Sequence, residues 1–175
     1  MAIVHSSATI QPTKPELLEA LTGGPVEVLG SYRFDDPAGE VGVEAFVVRR
    51  GAQVRHLVLT YRGAPLQGSE PRLVGTMEHS ELGPRWVYDG TTDPVAVECF
   101  RRAVLGEQEQ AVLELWEDGR AVGTRPPTVR LSTRPGESAD GATVSIFGDP
   151  RDEVPGPALV ATWAGGEGVV ARLGD

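Results

Sequence analysis

Apolar and polar residues alternate along three consecutive segments in the first half of the chain, residues 26–34, 40–50 and 54–62. A period of two is the pattern of a β-strand with one face in a core, so three strands are predicted. The second segment ends in Phe46, Val47 and Val48, which are apolar on both faces and indicate a strand covered on both sides. Because the connections are short, we expect an antiparallel meander.

The start of the chain predicts a short strand followed by a short helix. Residues 2–10 mix apolar and polar side chains and are interpreted as the strand. The sequence Thr13-Lys14-Pro15-Glu16 predicts a capping box, in which Thr13 and Glu16 each bond the other's backbone amide. The helix is expected to end at Gly23-Gly24 and, being short, to need a sheet to pack on.

A second helix is predicted to begin at Asp93-Pro94, with Asp93 as the N-cap, and to end at Gly106. Helical periodicity assigns its buried side to an apolar stripe with two small residues beside it. The stripe is Val97, Phe100 and Val104, flanked by Cys99 and Ala103. On such a face, Cys99 is expected to be a buried and inert thiol.

Beyond Gly106 the chain consists of short β segments separated by polar loops. Hairpins are predicted over residues 111–123, with the turn at Asp118-Gly119, and around residues 165–168. The other segments are residues 128–133, 143–147, 158–163 and 169–173. The predicted class is α+β, with a mostly antiparallel, curved sheet packed on one or two short helices and a β-rich C-terminal part. We divide the chain into a domain of residues 1–106 and an extension of residues 107–175 within the same globular unit, which either continues the first sheet or forms a second one.

Charge and composition disfavour several classes of binding partner and of site. The 175 residues carry a net charge of -9, which repels phosphate backbones, so nucleic acid and anionic membranes are poor partner candidates. No apolar run approaches the length of a membrane span, and the first residues show no signal peptide, so we expect a cytoplasmic protein. With Cys99 as the only cysteine and three scattered histidines, neither a disulfide nor a structural metal site is expected.

Lys14 is the only lysine in the chain, and this excludes several nucleotide-binding motifs. A P-loop and a kinase-type strand lysine both need a lysine in a context that Lys14 does not have. The sequence also lacks the Gly-x-Gly-x-x-Gly, Gly-x-Ser-x-Gly and His-Glu-x-x-His patterns. No cofactor is therefore predicted.

Residues 75–94 are the richest in side chains that bind ligands or carry out chemistry. Glu78 and His79 could form an acid/base pair, and the alternative is a loop histidine with local hydrogen bonds. Asp89 could contribute to a cation site with Asp36 and Asp93. For those two partners, however, a turn and a helix cap are the better explanations.

Arg85, Trp86 and Tyr88 are the best candidates for a binding surface, because arginine and aromatic residues together are typical of interface hot spots and aromatic faces stack on sugar rings. In a strand, Trp86 and Tyr88 point to one side and Arg85 to the other. The alternative is that Trp86 and Tyr88 are core aromatics. The candidate binding residues are thus Glu78, His79, Arg85, Trp86, Tyr88 and Asp89, with no catalytic residue and no metal ligand assigned.

Four blocks within residues 1–105 carry a family resemblance. They are Ala2-Ile3-Val4-His5 with Pro12-Thr13-Lys14-Pro15-Glu16-Leu17-Leu18, then Phe34-Asp35-Asp36-Pro37-Ala38-Gly39-Glu40-Val41-Gly42-Val43-Glu44, then Leu59-Thr60-Tyr61-Arg62-Gly63-Ala64-Pro65-Leu66, and residues 75–94. In this order they resemble the N-terminal cap domain of maltokinase-type sugar kinases, and more closely the cap-like proteins that bacteria encode without kinase lobes. The resemblance implies a cystatin-like sheet curved against a helix.

The family's activity does not transfer with the resemblance. In the full-length kinases, which phosphorylate sugars such as maltose with ATP, the cap precedes two lobes that carry the ATP site and the catalytic aspartate. Neither the lobes nor their motifs occur in this sequence, so no catalytic residue can be carried over. The absence of the lobes and their motifs favours a free-standing, non-catalytic cap-like protein without a cofactor, with a small enzyme as the alternative.

Three functions follow as hypotheses. The first is a non-catalytic protein of maltose, trehalose and glycogen metabolism that binds a sugar kinase, a related carbohydrate enzyme, or a sugar. The second is a small ligand-binding protein or small enzyme with a pocket around His79, Arg85, Trp86 and Tyr88. The third is a homodimer that buries an exposed sheet edge.

Overall fold

The computed structural model describes residues 2–5, 8–68, 70–117, 119–137 and 141–174. Its helices are α1 (Lys14–Thr22) and α2 (Pro94–Val104), with a single 3₁₀ turn at Gly90–Thr92. Its strands are β1 (Ala2–His5), β2 (Ile10–Gln11), β3 (Glu27–Phe34), β4 (Val41–Arg50), β5 (Gln53–Arg62), β6 (Leu73–His79), β7 (Gly83–Asp89), β8 (Leu113–Glu117), β9 (Arg120–Arg125), β10 (Arg130–Arg134), β11 (Thr143–Arg151), β12 (Ala158–Trp163) and β13 (Gly166–Gly174). The predicted α+β class, with mostly antiparallel strands and two short helices, is confirmed.

The first sheet has six strands in the order β2-β6-β7-β5-β4-β3, and all neighbouring pairs are antiparallel. The predicted meander is confirmed for β3, β4 and β5. The next strand in sequence, β6, does not pair with β5, because β7 lies between them. β6 pairs with β7 along its length and with β2 at its end.

Each face of the first sheet packs on one helix. On one face, Leu17 and Leu18 of α1 pack into a cluster with Phe46 and Val48 of β4. On the opposite face, Val47 belongs to the core that contains α2. The prediction that residues 46–48 form a strand covered on both sides is therefore confirmed.

The C-terminal part forms separate sheets and does not extend the first one. Strands β10 to β13 make a four-stranded antiparallel sheet, and β8 and β9 form a hairpin that joins β1 in a three-stranded sheet. Helix α2 contacts all four strands β10 to β13, and β11 contacts β5 of the first sheet. One hydrophobic core therefore includes Phe100 of α2, Tyr32 of the first sheet and Val170 of the second sheet.

The helix boundaries agree with their sequence signals. Thr13 and Glu16 form the predicted capping box, and Gly23 ends α1 in the left-handed conformation at φ 75°. Asp93 caps α2 through its bond from the amide of Val95, and Gly106 follows the helix end at φ 74°. Strong local signals thus determine both ends of each helix.

Two apolar residues, one on α2 and one on β3, are less buried than their sequence patterns predict. On α2, Ala96 is fully buried whereas Val97 is only half-buried, because the helix is enclosed between two sheets and its buried face is centred on small residues. On β3, Val28 is 44% exposed, because the pairing of β3 with β4 shifts register between Val28 and Gly30.

The segment predicted as one strand at residues 2–10 contains β1 and β2, with Ser6-Ser7 outside the described residues. Asp118 of the predicted hairpin turn also lies outside the described residues. The second predicted hairpin is present, with Gly165 at φ 95° between β12 and β13. Neither α1, α2 nor any other helical segment within the described ranges has the length and apolar character needed to cross a membrane.

Candidate functional site

A cleft of about 510 Å³ opens on the α1 side of the first sheet. Its base is formed by strands β4 and β5, and its walls come from β2, the start of α1, the β3–β4 turn and the β6–β7 hairpin. Its polar and small lining residues include Lys14, Arg33, Gly42, Glu44, Tyr61, His79 and Arg85. His79 and Arg85 are the two sequence candidates that the structure brings into this cleft.

Glu44 lies at the base of the cleft and is only 3% exposed. The Lys14 ammonium donates a hydrogen bond to Oε1 at 2.9 Å and forms an ion pair with Oε2 at 2.7 Å. Arg33 forms an ion pair with Oε2 at 3.2 Å, and the Tyr61 hydroxyl donates to the same oxygen at 3.1 Å. The buried carboxylate is thus surrounded by three donors from α1, β3 and β5.

The neighbouring cations keep Glu44 ionised. Burial alone would raise the pKa of Glu44, but Arg33 and Lys14 outweigh it and hold the pKa below its ordinary value. Burial lowers the pKa of Lys14, and its contact with Glu44 only partly offsets this effect. Burial also raises the pKa of Tyr61 well above its usual range, with a smaller contribution from Glu44. At neutral pH, Glu44 is therefore a carboxylate and Tyr61 a hydroxyl donor.

Arg85 enters the cleft from β7, on the same face as Val87 of the α1-side core. Its guanidinium lies across Gly63, where a Cβ atom would come within 2.9 Å of Nη1. Within the described part of the chain, the hydrogen bond found for this side chain is a long one, 3.5 Å from Nη1 to the carbonyl oxygen of Pro84. Glycine at position 63 thus leaves room for an arginine whose donors are little used by the protein.

The structure does not bring Glu78 and His79 together. They are neighbours at the end of β6, where successive side chains point to opposite faces. His79 Nδ1 accepts hydrogen bonds from the amides of Glu81 and Leu82, each at 3.2 Å, so the imidazole proton lies on Nε2. His79 therefore organises the β6–β7 turn and faces the cleft, while Glu78 is exposed outside it.

Trp86 and Tyr88 lie on the face of the sheet opposite the cleft. Trp86 pairs with Arg62 and Tyr88 with Thr60, and these two β5 residues reach towards the start of α2. Tyr88 is 4% exposed, and its hydroxyl accepts from the amide of Leu66 at 2.9 Å. The residues predicted as one binding cluster are therefore divided between the two faces of the sheet.

Asp89 stabilises the 3₁₀ turn that leads into α2. Its Oδ1 accepts from the Thr91 amide at 3.1 Å and from the Thr91 hydroxyl at 2.7 Å. Arg72 lies 3.6 Å from its Oδ2. These contacts give Asp89 a structural position outside the cleft.

Asp93 is a fully buried helix cap with a strong ionic partner. Arg62 donates two hydrogen bonds to its carboxylate, at 2.7 and 2.6 Å, and Thr60 donates a third at 2.7 Å. Burial would raise the pKa of Asp93, but the bonds from Arg62 and Thr60 hold it below its usual value. This cluster fixes the start of α2 against β5.

A comparison with protein families matches β3 to β7, together with the end of α1, to a known domain. Residues 19–93 match the maltokinase N-terminal cap domain. This match confirms the resemblance to that domain. It covers less than half of the chain and ends at Asp93, so α2 and the C-terminal sheets lie outside it. Comparisons with curated proteins and with solved structures gave no match.

Most of the polar cleft residues lie within the part of the chain that matches the cap domain. Arg33, Glu44, Tyr61, His79 and Arg85 all lie within the matched residues. Lys14 is the exception, since it belongs to the start of α1, five residues before the match begins.

Sequence reasoning missed the charged cluster at the base of the cleft. Glu44 falls in the polar set of the β4 alternation, and Lys14 stands out in the sequence only within the capping box and as the only lysine. The available signal was the cross-strand pair of Arg33 and Glu44, which becomes visible once β3 and β4 are aligned. Tyr61 and Lys14 join this pair only through tertiary packing.

Within the described residues, the side chains favour neither a metal site nor a reactive thiol. No group of three or more histidine, cysteine, aspartate or glutamate side chains is arranged there to hold a metal ion. Cys99 is 1% exposed, and burial raises the pKa of its thiol to about 11. The thiol is therefore protonated at neutral pH and a poor nucleophile.

Proposed function

We propose that this chain is a non-catalytic, cap-type binding protein of maltose, trehalose and glycogen metabolism. Its role is to bind a sugar kinase or a related carbohydrate enzyme. The observation that carries the proposal is the match of residues 19–93 to the maltokinase N-terminal cap domain.

The chemistry of the cleft favours binding over catalysis. A general acid or base works best when its pKa lies near the working pH. The pKa of Glu44 moves in the opposite direction, and both of its oxygens already accept hydrogen bonds, Oε1 from Lys14 and Oε2 from Tyr61. The cleft thus provides a preformed polar surface rather than a general acid or base.

The test is affinity capture with the full chain as bait in cytoplasmic extract of its own source. We expect a sugar kinase or another enzyme of maltose, trehalose or glycogen metabolism to be retained, and the purified pair to bind in isothermal titration calorimetry. The purified chain alone should transfer no phosphate from ATP to maltose or glucosamine. Capture without any carbohydrate enzyme, or sugar phosphorylation by the chain itself, would contradict the proposal.

A second candidate is a small ligand-binding protein, with or without a reaction of its own. The cleft favours it, because a concave site of this size suits a small molecule. Its lining differs from the predicted pocket, since it includes His79 and Arg85 but Trp86 and Tyr88 lie on the other face.

Self-association through a sheet edge is a third candidate. Strand β9 is exposed at all six positions and, within the described residues, pairs with β8 alone. Light scattering distinguishes a monomer from a dimer, and a dimer that persists after proline replaces Val122 would not use this edge.

A further inference from the structure

The cleft has the dimensions and the base of a small-molecule site. Its volume of about 510 Å³ lies within the range of about 300–1,000 Å³ that is typical of ligand pockets. At its base, exposed Gly42 lies beside the ring of Tyr61, and a Cβ atom at position 42 would come within 3.3 Å of Tyr61 Cδ2. The missing side chain keeps the space above this ring edge open.

The charges around the cleft nearly compensate one another. Arg33, Lys14 and Arg85 face four carboxylates, of which Glu44 is paired with the first two. The other carboxylates are Asp35, Asp36 and Glu40 of the β3–β4 turn. Asp36 is directed towards backbone amides, since it accepts from Ala38, Glu40 and Val41 at 3.0 Å each. A cleft with mixed and balanced charges suits an uncharged polar ligand better than an anion.

Hydrogen-bond donors remain available at the cleft wall. Arginine has five N–H donors in a planar fork, and within the described residues Arg85 uses one of them, in a long bond to Pro84. Lys14 is 30% exposed above Glu44 and adds a second cationic donor at the surface. Donors of this kind bind neighbouring hydroxyl groups, whereas an aromatic ring packs on the apolar C–H face of a sugar.

We infer that the cleft binds an uncharged mono- or disaccharide, with the sugar ring against Tyr61 and its hydroxyls bonded to Arg85 and Lys14. This inference rests on the proposed function, because it names a ligand class for the cap-type protein of carbohydrate metabolism. It adds a site and an orientation that the family match does not contain.

The experiment is calorimetric titration of the full chain with maltose and with trehalose, and with glucose 1-phosphate as the charged comparison. We expect saturable binding of at least one neutral sugar, with glucose 1-phosphate weaker by about tenfold or more. Tighter binding of the phosphorylated sugar would overturn the inference, as would the absence of binding by all three.

Two pairs of variants locate the site. Gly42→Leu fills the cleft beside Tyr61, and Gly123→Leu adds the same side chain on exposed β9, where nothing lies within 4 Å of the place a Cβ atom would take; neither glycine has a positive φ. Arg85→Gln removes the guanidinium, and Arg120→Gln does so outside the cleft on β9. Each cleft variant should weaken sugar binding about tenfold or more, while each control stays within about twofold.

The outcomes separate this inference from the proposed function. Circular dichroism melting checks that each variant is folded, and Arg85→Gln breaks no ion pair found within the described residues. If Arg85→Gln and Gly42→Leu are folded and bind sugar like the parent chain, the cleft is not the site. If an enzyme of carbohydrate metabolism is captured but no sugar binds, the inference fails and the proposed function stands.

Discussion

At the scale of single residues, His56 joins the first sheet to the second through both ring nitrogens. Its Nδ1 lies 3.0 Å from the carbonyl oxygen of Phe147, and its Nε2 lies 2.8 Å from the Tyr32 hydroxyl. A carbonyl oxygen can only accept, so Nδ1 carries the proton and Nε2 accepts from Tyr32. The ring is 2% exposed, and burial lowers its pKa to about 4.

This neutral histidine makes folding stability dependent on pH. The pKa of His56 is about 6.5 in the unfolded chain and about 4 in the folded one, so only the unfolded chain binds the proton in between. The contribution of neutral His56 to the free energy of unfolding is therefore fully present above pH 6.5. This contribution falls by about 3 kcal/mol as the pH drops to 4. Urea unfolding from pH 8 to pH 4.5 measures this, with His56→Gln as the variant that cannot titrate.

The difference in unfolding free energy between the parent chain and His56→Gln reports the titration of His56 alone, because both proteins have the same carboxylates. We expect the gap in unfolding free energy between the parent chain and His56→Gln to narrow as the pH falls. Parallel pH profiles would show that His56 does not titrate as a buried neutral group.

Glu44 allows a second prediction at this scale. Glu44→Gln leaves Lys14 and Arg33 without a carboxylate partner, and we expect a loss of about 2–3 kcal/mol, reduced by the partial exposure of both cations. The matched control is Glu27→Gln, which breaks an exposed pair with Arg49 and should cost less than about 1 kcal/mol. Equal losses in denaturant melts would mean that burial of the cluster contributes nothing.

At the scale of elements, the ends of the helices and the β3–β5 meander were predictable, whereas the positions of β6 and β7 in the sheet were not. Thr13, Gly23, Asp93 and Gly106 act on their own backbone within a few residues, so their effects can be deduced from neighbouring sequence. The insertion of β7 between β5 and β6 depends on the β5–β7 pairing, whose partners are 24 residues apart for Arg62 and Trp86 and 30 apart for Leu59 and Asp89. Alternation predicts that strands exist and does not say which ones are neighbours.

The two helix caps should differ in their contribution to stability. Asp93→Ala removes a buried cap and leaves Arg62 unpaired, so we expect a loss of about 3 kcal/mol or more. Thr13→Ala removes an exposed cap on α1 and should cost about 1 kcal/mol. Chemical unfolding of both variants provides the comparison, and an equal cost would contradict a role for the Arg62 pair.

At the scale of the whole molecule, the hydrophobic core extends beyond the residues that match the family. The match ends at Asp93, whereas the core continues through α2 into β10 to β13. Val129, Leu159 and Val170 of the C-terminal part are each buried in the same cluster as Tyr32 and Phe100. The residues that match the cap domain are therefore covered on their α2 side by residues that lie outside the match.

A chain that ends at residue 106 tests the predicted division into two parts. Because it lacks the second sheet, it leaves the α2 side of the core open to water, and we expect it to bind a hydrophobic dye and to lose cooperative unfolding. The full chain should unfold in a single transition. A truncated chain with a sharp transition of its own would show that residues 1–106 form an independent domain.

The cleft shows why the site was harder to predict than the fold. Arg85 and His79 were identified because their residue types are common in binding sites. Lys14, Arg33, Glu44 and Tyr61 come from a helix and three strands, and they meet only after register and helix docking are fixed. A single sequence contains the register of β3 and β4 only implicitly, in the opposition of Arg33 and Glu44.

The position of Lys14 gives the protein a built-in chemical reporter. It is the only side-chain amine in the chain, and its nitrogen is held against Glu44 in the cleft. An acylating reagent can therefore modify one internal position, at a rate that depends on how often the ammonium leaves its carboxylate. Mass spectrometry of a brief acylation reaction would follow occupancy of the cleft in the unmodified protein, without an introduced label. The same property means that lysine-directed cross-linkers should attach partners to this chain only at the cleft or at an amino terminus.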